Sequence, residues 1–151
     1  MHALFHAGFR SDGEPALEPV HVEPLGGNRY RVLYSPGLVY GVAAGDLVEL
    51  ERDGKFCVVH RGGNIAVRVY SEEPLAGVEP ELTARVQAQL GGKLDGRVQM
   101  GLAYTVPASA GFSPIEQLFS AFCVSEAGLR WEYGNVYGED GAPLNWWQSA
   151  A

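Results

Sequence analysis

Cysteine, histidine and serine are the side chains by which a small chain most readily holds a metal or attacks a substrate, and this chain has few of them. Cys57 and His60 stand three residues apart in a stretch patterned as a strand, which sends them to opposite faces. Joint ligation would need a bulge and further ligands, and no second Cys/His cluster supplies them. His2 and His6 would share a face only if the terminus were helical, and a helix confined to residues 2–6 is too short to repay its nucleation. No metal site is expected. Ser109 lies in the small-residue loop Pro107-Ala108-Ser109-Ala110-Gly111, which matches neither a Gly-x-Ser-x-Gly nucleophile elbow nor a Gly-Lys-Ser/Thr phosphate loop. Just beyond it Pro114 deletes an amide donor and Glu116 adds negative charge, so an anion is disfavoured there. The same-face pair Glu49 and Glu51 and the adjacent pair Glu72 and Glu73 have no histidine or hydroxyl tied to them and read as solvated charge. No catalytic residue and no cofactor is assigned.

What remains is chemistry suited to binding. The chain carries 18 acidic and 11 basic residues among 151, a net charge of −7, which repels phosphate backbones unless the cations cluster. They are scattered from Arg10 to Arg130, so general nucleic-acid binding is disfavoured and a basic protein partner is allowed. Glu72, Glu73, Glu79 and Glu81 lie in a segment with Pro74, Gly77 and Pro80, which belongs on the surface, where carboxylates steer a basic partner. A solvated linker is the plainer reading of the same charges. Trp131 and Tyr133 suit a core. The adjacent Trp146 and Trp147 cannot both be fully buried and are candidate partner-binding residues. Two cysteines make no disulfide framework, the start lacks a basic signal-peptide region, and no apolar run approaches the ~20 residues that span a bilayer. The expected setting is the cytoplasm, with no membrane contact.

The elements that must position these residues are mostly strands at first. Residues 1–16 carry Gly8, Gly13 and Pro15 and read as a loose arm. Residues 17–71 form short apolar segments punctuated by Gly26-Gly27-Asn28, Ser35-Pro36-Gly37, Asp53-Gly54 and Arg61-Gly62-Gly63-Asn64, the pattern of a small β-barrel or curled sheet. Leu38-Val39-Tyr40 is a candidate short strand within it. Residues 72–151 change period. Leu82, Val86 and Leu90 recur every four residues after Pro80 and stop at Gly91-Gly92, a helix. Val98, Met100, Leu102, Tyr104 and Val106 alternate as one long strand, and Ser113-Pro114-Ile115-Glu116 is a capping box opening a second helix. A last strand around Trp131–Tyr137 and an aromatic tail follow. With the strand before Glu72, the order is strand–helix–strand–helix–strand, so the fold class is α+β with a ferredoxin-like second half.

The segments Val22-Glu23-Pro24-Leu25-Gly26-Gly27-Asn28-Arg29-Tyr30, Tyr40-Gly41-Val42-Ala43-Ala44-Gly45-Asp46-Leu47-Val48 and Gly63-Asn64-Ile65-Ala66-Val67-Arg68-Val69 carry a family resemblance. It extends to the Ser113-Pro114-Ile115-Glu116 helix and covers most of the chain after about residue 20. The chain resembles the bacterial family of domain of unknown function 4265. The resemblance implies a barrel followed by a ferredoxin-like half and transfers no catalytic residue.

Together these features lead to a non-catalytic cytoplasmic protein that binds another macromolecule, of the inhibitor or immunity type that masks a toxin. The alternative is a small-molecule-binding protein or enzyme with a pocket between the two halves, lined by Tyr34, His60, Tyr104 and Ser109. A deep pocket with converging polar groups would favour the ligand, and an aromatic or acidic patch the protein partner.

Overall fold

The computed structural model describes residues 1–126 and 128–149. Two antiparallel sheets form, joined by an irregular segment and covered on one side by two helices. The first sheet is a meander of β1 (His2–Phe9), β2 (Pro15–Gly26), β3 (Arg29–Val32), β4 (Leu47–Leu50) and β5 (Phe56–His60) in sequential order. The second holds β6 (Asn64–Ser71), β7 (Lys93–Val98), β8 (Gly101–Pro107) and β9 (Leu129–Tyr133) in the order β7-β8-β6-β9.

Residues 1–16 are not a loose arm. Asp12-Gly13 makes a turn that folds β1 back on β2, pairing His2 with His21 and Phe5 with Glu18. Phe5 points inward and is fully buried with Val20, Val22, Val32 and Val48. Burial of that ring contributes about 2 kcal/mol, enough to hold a terminal strand. A closed barrel does not form either. The sheet is open, curling only until the His6 amide donates to the Gly54 carbonyl at 2.8 Å and the Phe5 ring meets Phe56.

Leu38-Val39-Tyr40 forms no strand. One carboxylate takes the place of a ladder: Glu18 accepts the amides of Gly37, Leu38 and Val39 at 2.8–2.9 Å. The segment 33–46 so held crosses from β3 to β4 over the second sheet, burying Val39 and Val42.

The second sheet is apolar toward the helices. Ile65, Val67 and Val69 of β6 and Leu102, Tyr104 and Val106 of β8 pack against α1 (Glu79–Arg85) and α2 (Phe112–Ser125). Leu82, Val86 and Leu90 are buried as their spacing predicts. A π turn over Val86–Leu90 continues α1, and its wider period keeps a strict four-residue repeat on one face. Gly91, at φ 66°, stops it in the left-handed conformation that glycine adopts without strain. The expected long strand from Val98 to Val106 is instead two strands. Gln99 and Met100 turn the chain between β7 and β8, leaving Val98 and Met100 exposed. Alternation of side chains continues through a tight turn, so parity alone does not reveal it.

The capping box does not form. α2 begins at Phe112 behind an N-cap Gly111 with no side-chain cap, one residue before Ser113. Glu116 turns away from the helix end and accepts the Tyr133 hydroxyl at 2.9 Å.

Candidate functional site

The back face of the second sheet, turned toward segment 33–46, is polar. Strand alternation puts Arg68 in the middle of it, between the apolar Val67 and Val69 that face the helices. Its guanidinium is buried, lies over the Tyr40 ring at 4.7 Å, donates to the Val39 carbonyl, and sits 3.7 Å from Glu132 on the neighbouring strand. Gly134 permits this, since any Cβ there would lie about 3.0 Å from the guanidinium and 2.9 Å from Ala66. Glu132 accepts two phenols, Tyr40 at 2.7 Å and Tyr70 at 3.0 Å. The buried cation and the carboxylate offset each other's charge and the two phenols donate to the carboxylate, while Arg68 Nε and Nη1 make no hydrogen bond. Burial, reinforced by the bond to Glu132, pushes the Tyr40 hydroxyl up to about 12, so it stays a donor across the physiological range.

This network floors a cleft of about 730 Å³ along the outer edge of β9. Tyr40, Trp131 and Tyr133 line it, with Ala7 and Gly8 of β1 on one side and Tyr137, Gly138 and Glu139 on the other. Trp131 packs edgewise on Tyr133 and donates to Ser120 of α2, so its ring is fixed. Tyr133 is held by Glu116 and by Phe112, and burial raises its hydroxyl well above the usual phenol range. Tyr137 is nearly half exposed. Rigid aromatic faces beside carboxylates form an environment that attracts a cation. The described lining residues include no serine, cysteine, histidine or lysine; their hydroxyls are phenols, and that of Tyr40 is tied to Glu132.

A second pocket, of about 540 Å³, lies between the two sheets, lined by Val20, His21, Tyr34, Leu38, Met100 and Leu102 among others. Its acids are engaged except at Asp95 Oδ1, which is buried without a hydrogen bond, 3.7 Å from Lys93 Nζ. Glu18 holds the three amides of segment 33–46, and Asp95 accepts the Ser35 amide at 2.7 Å and the Thr105 hydroxyl. Ser35 Oγ in turn lies 2.6 Å from Thr105 Oγ1. These groups fasten the crossing segment to the second sheet rather than converge on a vacant centre.

The residues singled out from sequence are dispersed. Tyr34 lines the pocket between the sheets, but Tyr104 is buried on the helix side with its hydroxyl 2.9 Å from Thr83, and His60 and Ser109 are exposed elsewhere. Cys57 and His60 are both exposed rather than on opposite faces, because a register shift in the β4–β5 pairing lies between them. No group of three or more metal-ligating side chains occurs among the described residues. Histidines 2 and 6 lie on a strand, with the His2 ring tilted against His21 at 3.9 Å between centroids. Glu72 and Glu73 are exposed, while Glu79 pairs with Arg97 and Glu81 with Arg85. Trp146 and Trp147 are half-buried. Trp146 donates to the Asn135 carbonyl at 2.8 Å and Trp147 packs on Phe112, so both brace the wall behind the cleft. Tyr40, Arg68, Glu132, Tyr137 and Glu139 were not singled out. Arg68, a cation inside the apolar run Ile65–Val69, was the available signal.

No helix among the described residues is long and apolar enough to cross a membrane. The model of the family described as domain of unknown function (DUF4265) matches residues 18–131. The comparison with curated proteins returned no match. Among solved structures, a hypothetical protein from Neisseria gonorrhoeae is similar in fold, with a TM-score of 0.66 at 14% identity over 88% of this chain and 91% of that one.

Proposed function

We propose, from the premise that the chain belongs to the DUF4265 family, that it is a non-catalytic cytoplasmic protein that binds the basic face of another protein, in the manner of an inhibitor or immunity protein that masks a toxin. The observation that supports this reading is the cleft at β9, where fixed aromatic rings meet the carboxylates Glu132 and Glu139. Aromatic anchors in a desolvated recess are what protein hot spots are made of, and the net charge of −7 speeds encounter with a basic surface. The element order β6-α1-β7-β8-α2-β9 with strand order β7-β8-β6-β9 supports a ferredoxin-like description of the second half.

A small-molecule ligand between the sheets is the second reading, favoured by the apolar pocket beside Tyr34. It ranks lower because Glu18 and Asp95 Oδ2 on that pocket's wall already fasten segment 33–46 through its amides and the Thr105 hydroxyl. The test is affinity recovery from the native host with the chain immobilised, wild type beside Tyr137→Ala/Glu139→Gln. The reading expects a basic protein retained by the wild type and lost, or weakened at least about tenfold, on the double variant. No stable partner, or one held equally by both, would overturn it.

A further inference from the structure

The geometry points to the mode of that binding, and to the kind of segment bound: an extended stretch of the partner, alternating apolar and basic residues, adds as a fifth strand to the outer edge of β9. This rests on the protein-binding reading above. β9 ends its sheet, with β6 as its pairing partner among the described strands. The Gly134 amide donates inward to the Ala66 carbonyl at 2.7 Å, and the register places Glu132 opposite Arg68. In an antiparallel ladder the backbone groups of alternate residues face alternate sides. Glu132 and the Gly134 amide therefore face β6, while the Gly134 carbonyl accepts the Gly41 amide, and by the same alternation the amides and carbonyls of Trp131 and Tyr133 point out into the cleft. An edge of unpaired donors and acceptors is a template for another strand.

The two sides of that edge differ in chemistry. On the helix side stand Trp131 and Tyr133, packed against Phe119 and Phe112. On the other stand Glu132 and Tyr40, with Glu139 on the cleft's far wall. An added strand projects successive side chains to opposite sides, so it would lay apolar residues against the rings and Arg or Lys toward the carboxylates. The other outer edge of this sheet, β7, pairs Lys93 with Asp95 and Arg97 with Glu79 and has no comparable row of aromatic rings.

The probe is a labelled nonapeptide alternating valine and arginine, titrated against the full chain by fluorescence anisotropy. Its comparators are a block peptide of the same composition and two forms N-methylated on one or the other alternate set of amides. Strand addition predicts binding of the alternating peptide, weaker binding of the block peptide, and at least about tenfold loss for one methylated set alone. Equal binding of both methylated forms would overturn strand addition while leaving the protein-binding reading standing. Failure of the alternating peptide to bind would likewise overturn it, with partner recovery on the immobilised chain still deciding the broader reading.

Discussion

Arg68 has a fully buried guanidinium, and its neutralisation depends on Glu132, on the Tyr40 ring and on a backbone carbonyl together. The phenols tied into that arrangement set an alkaline limit on the fold. Burial lifts the Tyr40 hydroxyl to about 12 and raises Tyr70 as well, and on the helix side, outside that arrangement, it lifts Tyr104 to about 12. Since these values lie above the unfolded value of about 10, the folded state favours the neutral phenol. The stability they contribute is complete below about pH 10 and is lost as pH climbs through about 12. Denaturant midpoints should hold between about pH 8 and 9 and fall steeply from about pH 10 to 12, in step with phenolate absorbance. A midpoint indifferent to pH across that upper window would show that the tyrosines titrate as freely as in the unfolded chain.

At the scale of elements, the start of α2 separates local sequence signal from tertiary outcome. Ser113-Pro114-Ile115-Glu116 has the composition of a capping box, but Gly111 caps the helix and Glu116 is committed to Tyr133. Ser113→Ala should therefore change unfolding free energy by no more than about 0.5 kcal/mol, where a working N-cap would cost about 1 kcal/mol. Glu116→Ala should cost more, about 1 kcal/mol, because it strands a buried hydroxyl. Equal losses for the two would restore the capping box. The same contrast explains what was legible. Periodicity located α1, α2, β8 and the strands from β2 to β6, because burial enforces spacing along one element. It missed β7, an exposed edge strand, and the true role of Leu38-Val39-Tyr40, fixed by Glu18 some 20 residues away. In the first residues the signal was present and read too weakly. Ala3, Phe5 and Ala7 alternate inward before an Asp12-Gly13 turn.

For the whole molecule, the two sheets are held by polar contacts across segment 33–46, and the cleft arises only where β1, Tyr40, β9 and the 137–141 turn come together. These parts come from residues 7–8, 40, 131–133 and 137–141, which is why no local motif announced the site. Acidity was legible as a total, but its location was not, since Glu79 and Glu81 pair with arginines away from the cleft, while Glu139 and the Arg68-paired Glu132 line it. The central claim is that a protein partner docks at β9. The most direct test is a titration of the isotopically labelled chain with the recovered partner, followed through its backbone amide NMR shifts. The account predicts perturbations gathered at Trp131–Tyr133, at residues 137–141 and at Ala7–Gly8. Perturbations gathered instead over Glu72–Glu81, or around His21 and Tyr34, with β9 silent, would contradict it.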